Sequence, residues 1–156
     1  MTATAAPESI TVARANAPHV AVIGAGLAGL VTALRLRRAG ARVTLVTKGV
    51  GGLQLGQGTI DLLGYDPERV TNPAKGIEAF AAKHPEHPYA KIGVEAVRSG
   101  VELLSEILGE KLVNGSADEN VLVPTAVGAA RPTAFIPESM KAGVLHGDAK
   151  MVIIGV

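Results

Sequence analysis

The chain has 156 residues, of which 47% are hydrophobic, and its 15 basic and 14 acidic side chains give a formal net charge of +1. This balance, with two Tyr, two Phe and no basic block, argues against a nucleic-acid partner or an anionic membrane surface, and no apolar run reaches the roughly 20 residues that a direct membrane span needs. The absence of cysteine excludes disulfides, thiolate metal ligands and cysteine-bound iron–sulfur clusters in this chain.

Residues 1–18 are rich in Ala and Thr and contain Pro7 and Pro18. They have neither the basic start nor the apolar centre of a signal peptide. We predict that they form a disordered leader.

A short apolar run then leads into the glycine fingerprint G-x-G-x-x-G at residues 24–29. Gly24 is expected to turn the chain at the end of a buried strand, Gly26 to let the backbone approach a pyrophosphate, and Gly29 to let the following helix lie close to the strand. The helix N-terminus directs free N–H groups at an anion. The predicted phosphate-binding residues are therefore Gly24, Ala25, Gly26, Leu27 and Gly29.

The context of the fingerprint strengthens this prediction. Leu27, Leu30, Val31 and Leu34 recur at helical spacing, and Gly40 is placed to end the helix. Residues 43–46 then form a second apolar strand. Residues 19–48 are thus predicted to be a strand–helix–strand unit of a parallel sheet, the alternative being a glycine-rich turn in an unrelated α/β core.

The end of the second strand departs from the usual dinucleotide fingerprint. An acidic residue normally accepts the ribose hydroxyls there, but this chain has Thr47 and Lys48. Thr47 can hydrogen-bond a hydroxyl without charge assistance. Lys48 either meets a phosphate, which would suggest NADP, or is a solvated loop residue.

The segment 49–58 is too rich in glycine to form a stable helix or central strand. We interpret it as a loop that approaches a cofactor ring closely, the alternative being a flexible surface loop. Its predicted cofactor contacts, with the residue that follows, are Gly51, Gly52, Gln57, Gly58 and Thr59.

Two packing helices are predicted at residues 73–82 and 92–108. Between them, His84 and His87 lie in a proline-containing segment that we interpret as a structural turn, because no third metal ligand is nearby. Asn114-Gly115 predicts a hairpin turn, and residues 121–123 and 133–136 predict strands of a small β layer.

Near the end of the chain, Gly147-Asp148 is interpreted as a turn and residues 151–154 as an apolar strand. Because a domain should not stop at a core strand, we expect the chain to be a fragment, incomplete at its C-terminus. The expected organisation is a leader (1–18), a nucleotide-binding unit with its glycine-rich loop (19–64), a helical insert (65–110), a small β layer (111–150) and the start of a truncated strand (151–156).

Several segments together resemble the B component of the anaerobic glycerol-3-phosphate dehydrogenase, a flavoprotein family. They are residues 19–40, Val46-Thr-Lys-Gly49, Gly56-Gln-Gly-Thr-Ile-Asp-Leu-Leu63, His87-Pro-Tyr89, and residues 128–137 with Arg131-Pro-Thr133. Members of this family carry Thr followed by a basic residue at the position of Thr47. The resemblance implies an α/β Rossmann-like fold of the glutathione-reductase type.

The resemblance also implies a flavin-dependent oxidation of glycerol 3-phosphate to dihydroxyacetone phosphate, with electrons passed to quinone. It implies FAD, with FMN as the alternative, a catalytic A component, and an iron–sulfur membrane-anchor C component that would hold the complex at the cytoplasmic face of the cell membrane. It assigns no catalytic residue. Two alternatives stay open: an NAD(P)-dependent dehydrogenase, and a non-catalytic remnant that binds no cofactor.

Overall fold

A computed structural model of the chain describes residues 16–147 and Val152. The chain divides into two compact units, Met1–Gly56 and Gln57–Val156, and each is described by itself. Most of the expected leader, Asp148 of the Gly147-Asp148 turn, and the expected strand at 151–154 apart from Val152 lie outside the described residues. The finer division of the chain expected from the sequence stays a prediction.

The first unit contains the predicted strand–helix–strand order, with strand β1 at His19–Ile23, helix α1 at Leu27–Arg38 and strand β2 at Arg42–Val46. The two strands are parallel. Such pairing requires a crossover connection, which α1 supplies. The Gly24 N–H donates to the Val46 carbonyl at 2.8 Å, so the turn after β1 is tied to the end of β2.

The described part of the second unit combines two α-helices with three short antiparallel ladders. Tyr65–Asp66 pairs with Glu68–Arg69, Asn114–Gly115 with Phe135–Ile136, and Val121–Pro124 with Ala130–Thr133. In chain order its elements are β3 (Tyr65–Asp66), β4 (Glu68–Arg69), α2 (Pro73–Lys83), α3 (Pro88–Leu108), β5 (Asn114–Gly115), β6 (Val121–Pro124), β7 (Ala130–Thr133) and β8 (Phe135–Ile136). One buried hydrophobic cluster joins α3 to the segments around β5 and β8, and contains Val101, Val113, Ala117, Ala134 and Phe135.

Helix α3 begins earlier than the sequence predicts. Pro88 occupies its first turn, and the His87 Nδ1 atom accepts a hydrogen bond of 3.1 Å from the Tyr89 N–H. A proline in the first turn of a helix needs no partner for its backbone nitrogen. His87 and Pro88 therefore start a helix where a loop was predicted. Gly93, with φ of 77°, then interrupts the helix, and the continuous part beyond it corresponds to the prediction.

The predicted hairpin turn at Asn114-Gly115 is wrong. These residues form β5, which pairs with Phe135–Ile136. A type I′ turn needs a positive φ at both central residues, and no residue other than glycine has one in the described part of the chain. The predicted strand at 133–136 is divided, since β7 ends at Thr133 and β8 begins at Phe135.

Candidate functional site

The turn between β1 and α1 has the geometry of an anion site. Gly26 precedes the helix in an extended conformation and its carbonyl accepts from the Leu30 N–H at 3.0 Å. No side chain caps the helix at this position, and its first turn contains no acidic residue. The uncapped N–H groups at the start of α1 and the positive end of the helix dipole therefore favour a negatively charged group.

The three fingerprint glycines have different surroundings. Gly24 has φ of 105°, a conformation that favours glycine. A Cβ on Gly29 would lie 2.0 Å from the Gly24 carbonyl oxygen, so α1 packs against the turn at a distance that only glycine permits. A Cβ on Gly26 would meet nothing within 4 Å. The space beside Gly26 is thus open, as a site that receives a pyrophosphate requires.

The glycine-rich loop of the first unit lies directly against this turn. Gly51 has φ of 72°, and a Cβ on it would lie 2.4 Å from the Ala25 carbonyl oxygen and 2.8 Å from the Gly26 nitrogen. Gly52, by contrast, has open space around it and precedes a single 3-10 turn at Leu53–Leu55. Gly51 thus packs closely on the backbone of the fingerprint, while the approach of this loop to a cofactor ring stays a prediction.

Thr47 and Lys48 are both exposed after β2. The Thr47 hydroxyl donates to the Gly49 carbonyl and accepts from the Gly49 N–H, the latter at 3.1 Å. Its hydrogen is thereby used within the loop, and its oxygen retains acceptor capacity. A ribose hydroxyl would have to donate to Thr47, and the role predicted for this residue stays a prediction.

The remaining candidates, Gln57, Gly58 and Thr59, belong to the second unit. The Arg131 guanidinium donates to the Gln57 Oε1 atom and, at 3.1 Å, to the Thr59 Oγ1 atom. Its Nε lies 3.5 Å from a carboxylate oxygen of Asp61. Sequence reasoning did not identify Arg131 as a site residue, because it is more than seventy positions away from the side chains that it binds.

The segment after Thr59 is fixed by backbone pairing. The Ile60 N–H donates to the Phe135 carbonyl at 3.0 Å, and the Phe135 N–H returns a bond of 3.1 Å to the Ile60 carbonyl. The Asn120 side-chain amide donates to the Leu63 carbonyl at 2.9 Å and to the Val70 carbonyl at 2.8 Å. The 57–63 segment is thus held along its length.

Elsewhere in the second unit, Arg98 makes two hydrogen bonds to the Asp118 carboxylate, of 2.8 and 2.6 Å. These bonds lower the pKa of Asp118 and raise that of Arg98. Partial burial raises the pKa of Tyr89. None of these three side chains forms a hydrogen bond or ion pair with a candidate residue. We therefore attribute the pKa shifts to structural contacts.

Within residues 16–147 and at Val152, no cluster of His, Asp and Glu side chains could hold a metal ion. The rings of His84 and His87 both pack against Phe80, with ring centroids 4.3 and 4.9 Å from it. None of the helices in this part of the chain is both long and apolar enough to cross a membrane.

Residues 19–155 match the FAD binding domain family. The chain is 34% identical over 137 residues to the B component of the probable anaerobic glycerol-3-phosphate dehydrogenase of Halobacterium salinarum, covering 88% of this chain and 32% of that protein. It is 36% identical to the B component of the anaerobic glycerol-3-phosphate dehydrogenase of Yersinia enterocolitica, with 88% and 34% covered, and 34% identical to that of Mannheimia succiniciproducens, with 88% and 33% covered.

The chain therefore spans about a third of the length of these relatives. No solved structure matches it. The resemblance to the B component and the predicted cofactor, FAD, are confirmed by these matches.

Proposed function

Because the chain belongs to the FAD binding domain family, we propose that the turn between β1 and α1 binds the FAD pyrophosphate. The observation that carries this proposal is the open space at Gly26, flanked by the close contacts of Gly29 and Gly51. Such a turn lets the oxygen atoms of a diphosphate come within hydrogen-bonding distance of backbone N–H groups. The proposed contacts of this turn are Gly24, Ala25, Gly26, Leu27 and Gly29.

We also propose the remaining cofactor contacts. In a Rossmann-like fold of the glutathione-reductase type, Thr47 and Lys48 would contact the adenosine ribose, and Gly51 and Gly52 would approach the cofactor with their backbone. Gln57, Gly58 and Thr59 would contact the flavin. The supporting observations are the position of the first pair directly after β2 and the packing of Gly51 on the fingerprint.

The relatives' names support a wider proposal for the whole protein. We propose a flavin-linked oxidoreductase component that acts in the oxidation of glycerol 3-phosphate to dihydroxyacetone phosphate, since the relatives are named as one component of a glycerol-3-phosphate dehydrogenase. As the family resemblance implies, it would act within a complex with a catalytic A component and an iron–sulfur C component at the inner face of the membrane. When bound, FAD would accept the two electrons of that oxidation, on their way to quinone. The chain's own residues would hold and orient it, and we assign no catalytic residue.

Equilibrium titration of the chain with FAD, FMN and NADP tests the cofactor proposal. We expect FAD to bind at least about tenfold tighter than FMN, because only FAD carries the diphosphate and adenosine that the turn and Thr47 would contact. Tighter binding of NADP would support the dehydrogenase alternative. Absence of saturable binding by any of the three would support the non-catalytic alternative and overturn the proposal.

Thr47→Glu tests the ribose contact. We expect FAD affinity to be preserved or to rise by up to about fivefold, because a charged acceptor strengthens hydrogen bonds to ribose hydroxyls by about 1 kcal/mol. Thr47→Gln is the matched control, since it loses the same bonds to Gly49 but adds no charge. FMN affinity should not improve in either variant. A weaker affinity for FAD in Thr47→Glu than in Thr47→Gln would contradict the placement of Thr47 at the ribose.

A further inference from the structure

Arg131 makes a three-point contact with the 57–63 segment. Its guanidinium donates to Gln57 and Thr59 and lies beside the Asp61 carboxylate. Its side chain is 27% exposed, and the Nε atom itself is buried without a hydrogen bond. The planar guanidinium therefore sets the orientation of two side chains at once, which a lysine ammonium could not do with the same geometry.

This contact determines which hydrogen-bonding groups remain free. Arginine only donates, so Gln57 must direct its carbonyl oxygen at Arg131 and its amide NH₂ away from it. Thr59 accepts from Arg131 through its hydroxyl oxygen, which leaves the hydroxyl hydrogen free to donate. Both side chains are thereby set as hydrogen-bond donors toward any further partner.

Gln57 and Arg131 also line a cleft of about 560 Å³ within the second unit. Its walls include the apolar side chains of Val123, Pro124 and Met140. Ligand sites commonly combine such apolar walls with a few fixed polar groups that set the orientation of the ligand. The cleft is large enough for a planar heteroaromatic ring.

The net charge of the Arg131–Asp61 pair determines which kind of hydrogen-bond acceptor on a ligand is favoured. The Asp61 carboxylate lies 3.5 Å from the Arg131 guanidinium, so the positive charge is largely offset. Free donors without a net positive charge favour neutral carbonyl or ring-nitrogen acceptors over a phosphate. The pyrimidine edge of an isoalloxazine ring presents such acceptors.

We propose that Arg131 is a positioning residue that fixes the Gln57 side chain, which lines this cleft, as a hydrogen-bond donor for the carbonyl-bearing edge of the flavin ring. This inference rests on the proposed function, because it takes the ring to be that of bound FAD. It adds to that function the direction of the hydrogen bonds, in which the protein donates and the ligand accepts.

Gln57→Glu is the sharpest test. A glutamate at this position keeps the contact with Arg131 as an ion pair, so the 57–63 segment should stay in place, but it has no N–H to offer the ring. We expect FAD affinity to fall at least tenfold and the visible absorption band of the remaining bound flavin to shift. Hydrogen exchange of the 57–63 peptide in the free chain should match that of the unmodified chain.

Arg131→Lys is the second variant, and Arg98→Lys is its matched control, because Arg98 binds Asp118 with comparable hydrogen bonds in the same unit. Arg131→Lys should weaken FAD binding about fivefold and shift the flavin band, since one ammonium group cannot orient both side chains. Arg98→Lys should leave the affinity and the band unchanged. Unchanged FAD affinity and absorption in Gln57→Glu, with normal hydrogen exchange, would overturn the inference.

Riboflavin, which has the ring but no diphosphate, separates this inference from the proposed function. If the chain binds FAD no more tightly than riboflavin, and Gln57→Glu weakens riboflavin binding, the inference stands and the diphosphate proposal fails. If FAD binds and Gln57→Glu has no effect, the diphosphate proposal stands and the inference fails. If neither flavin binds, both fail.

Discussion

Gly26→Val is expected to lower FAD affinity at least about 100-fold, a loss of about 2.7 kcal/mol, while the first unit stays folded. Nothing lies within 4 Å of a Cβ at Gly26, and its φ of −76° and ψ of 176° suit other residues as well. The isopropyl group would fill the space in which we place the pyrophosphate. The phosphates would then be held away from the backbone N–H groups at the start of α1, which are the groups that we propose bind them.

Flavin titration and thermal unfolding should be measured together on this variant. Gly100→Val is the matched control, because Gly100 also has open space around it but lies in α3, which contains no candidate residue. The control should bind FAD like the unmodified chain. Undiminished FAD binding by Gly26→Val would rule out the fingerprint turn as the pyrophosphate site.

The first unit was predictable because its signals are local. The apolar run before Gly24, the helical spacing after it and the second apolar run each depend on neighbouring residues, and the structure has the corresponding elements at β1, α1 and β2. The separate roles of Gly24 and Gly29 also follow from the spacing of the fingerprint. The packing of Gly51 on the Ala25–Gly26 backbone was not predicted, since the loop was expected to approach a cofactor ring.

The second unit was harder to predict because its contacts are distant in sequence. Pairing with Phe135 makes Asn114-Gly115 a strand where local propensity favours a turn. Arg131 is joined to Gln57 and Thr59 by contacts that no spacing rule reveals. The motif at 128–137 indicated that Arg131 belongs to a recognisable segment, and only the structure gives it partners.

Gly29→Ala is expected to lower the stability of the chain strongly, although it adds only one methyl group. Gly26→Val, by contrast, should lower FAD affinity and leave the first unit folded. The added methyl group would lie 2.0 Å from the Gly24 carbonyl oxygen and 3.0 Å from its carbonyl carbon. The oxygen belongs to a turn that is tied to β2 by the Gly24 N–H, so it has little freedom to move. We expect a loss of about 3 kcal/mol in the free energy of unfolding, the upper end for overpacking of a closely packed site.

Urea unfolding of the free chain, without flavin, measures this loss directly. Gly26→Ser is the matched control in the same turn, because serine fits the open space and can cap α1, so its stability should be unchanged or slightly higher. The two variants then separate two roles of neighbouring glycines: Gly29 permits the helix to pack on the turn, and Gly26 keeps space for a ligand. Equal stabilities for Gly29→Ala and Gly26→Ser would show that α1 can move away from the turn, and the close helix–turn contact would then not be required for folding.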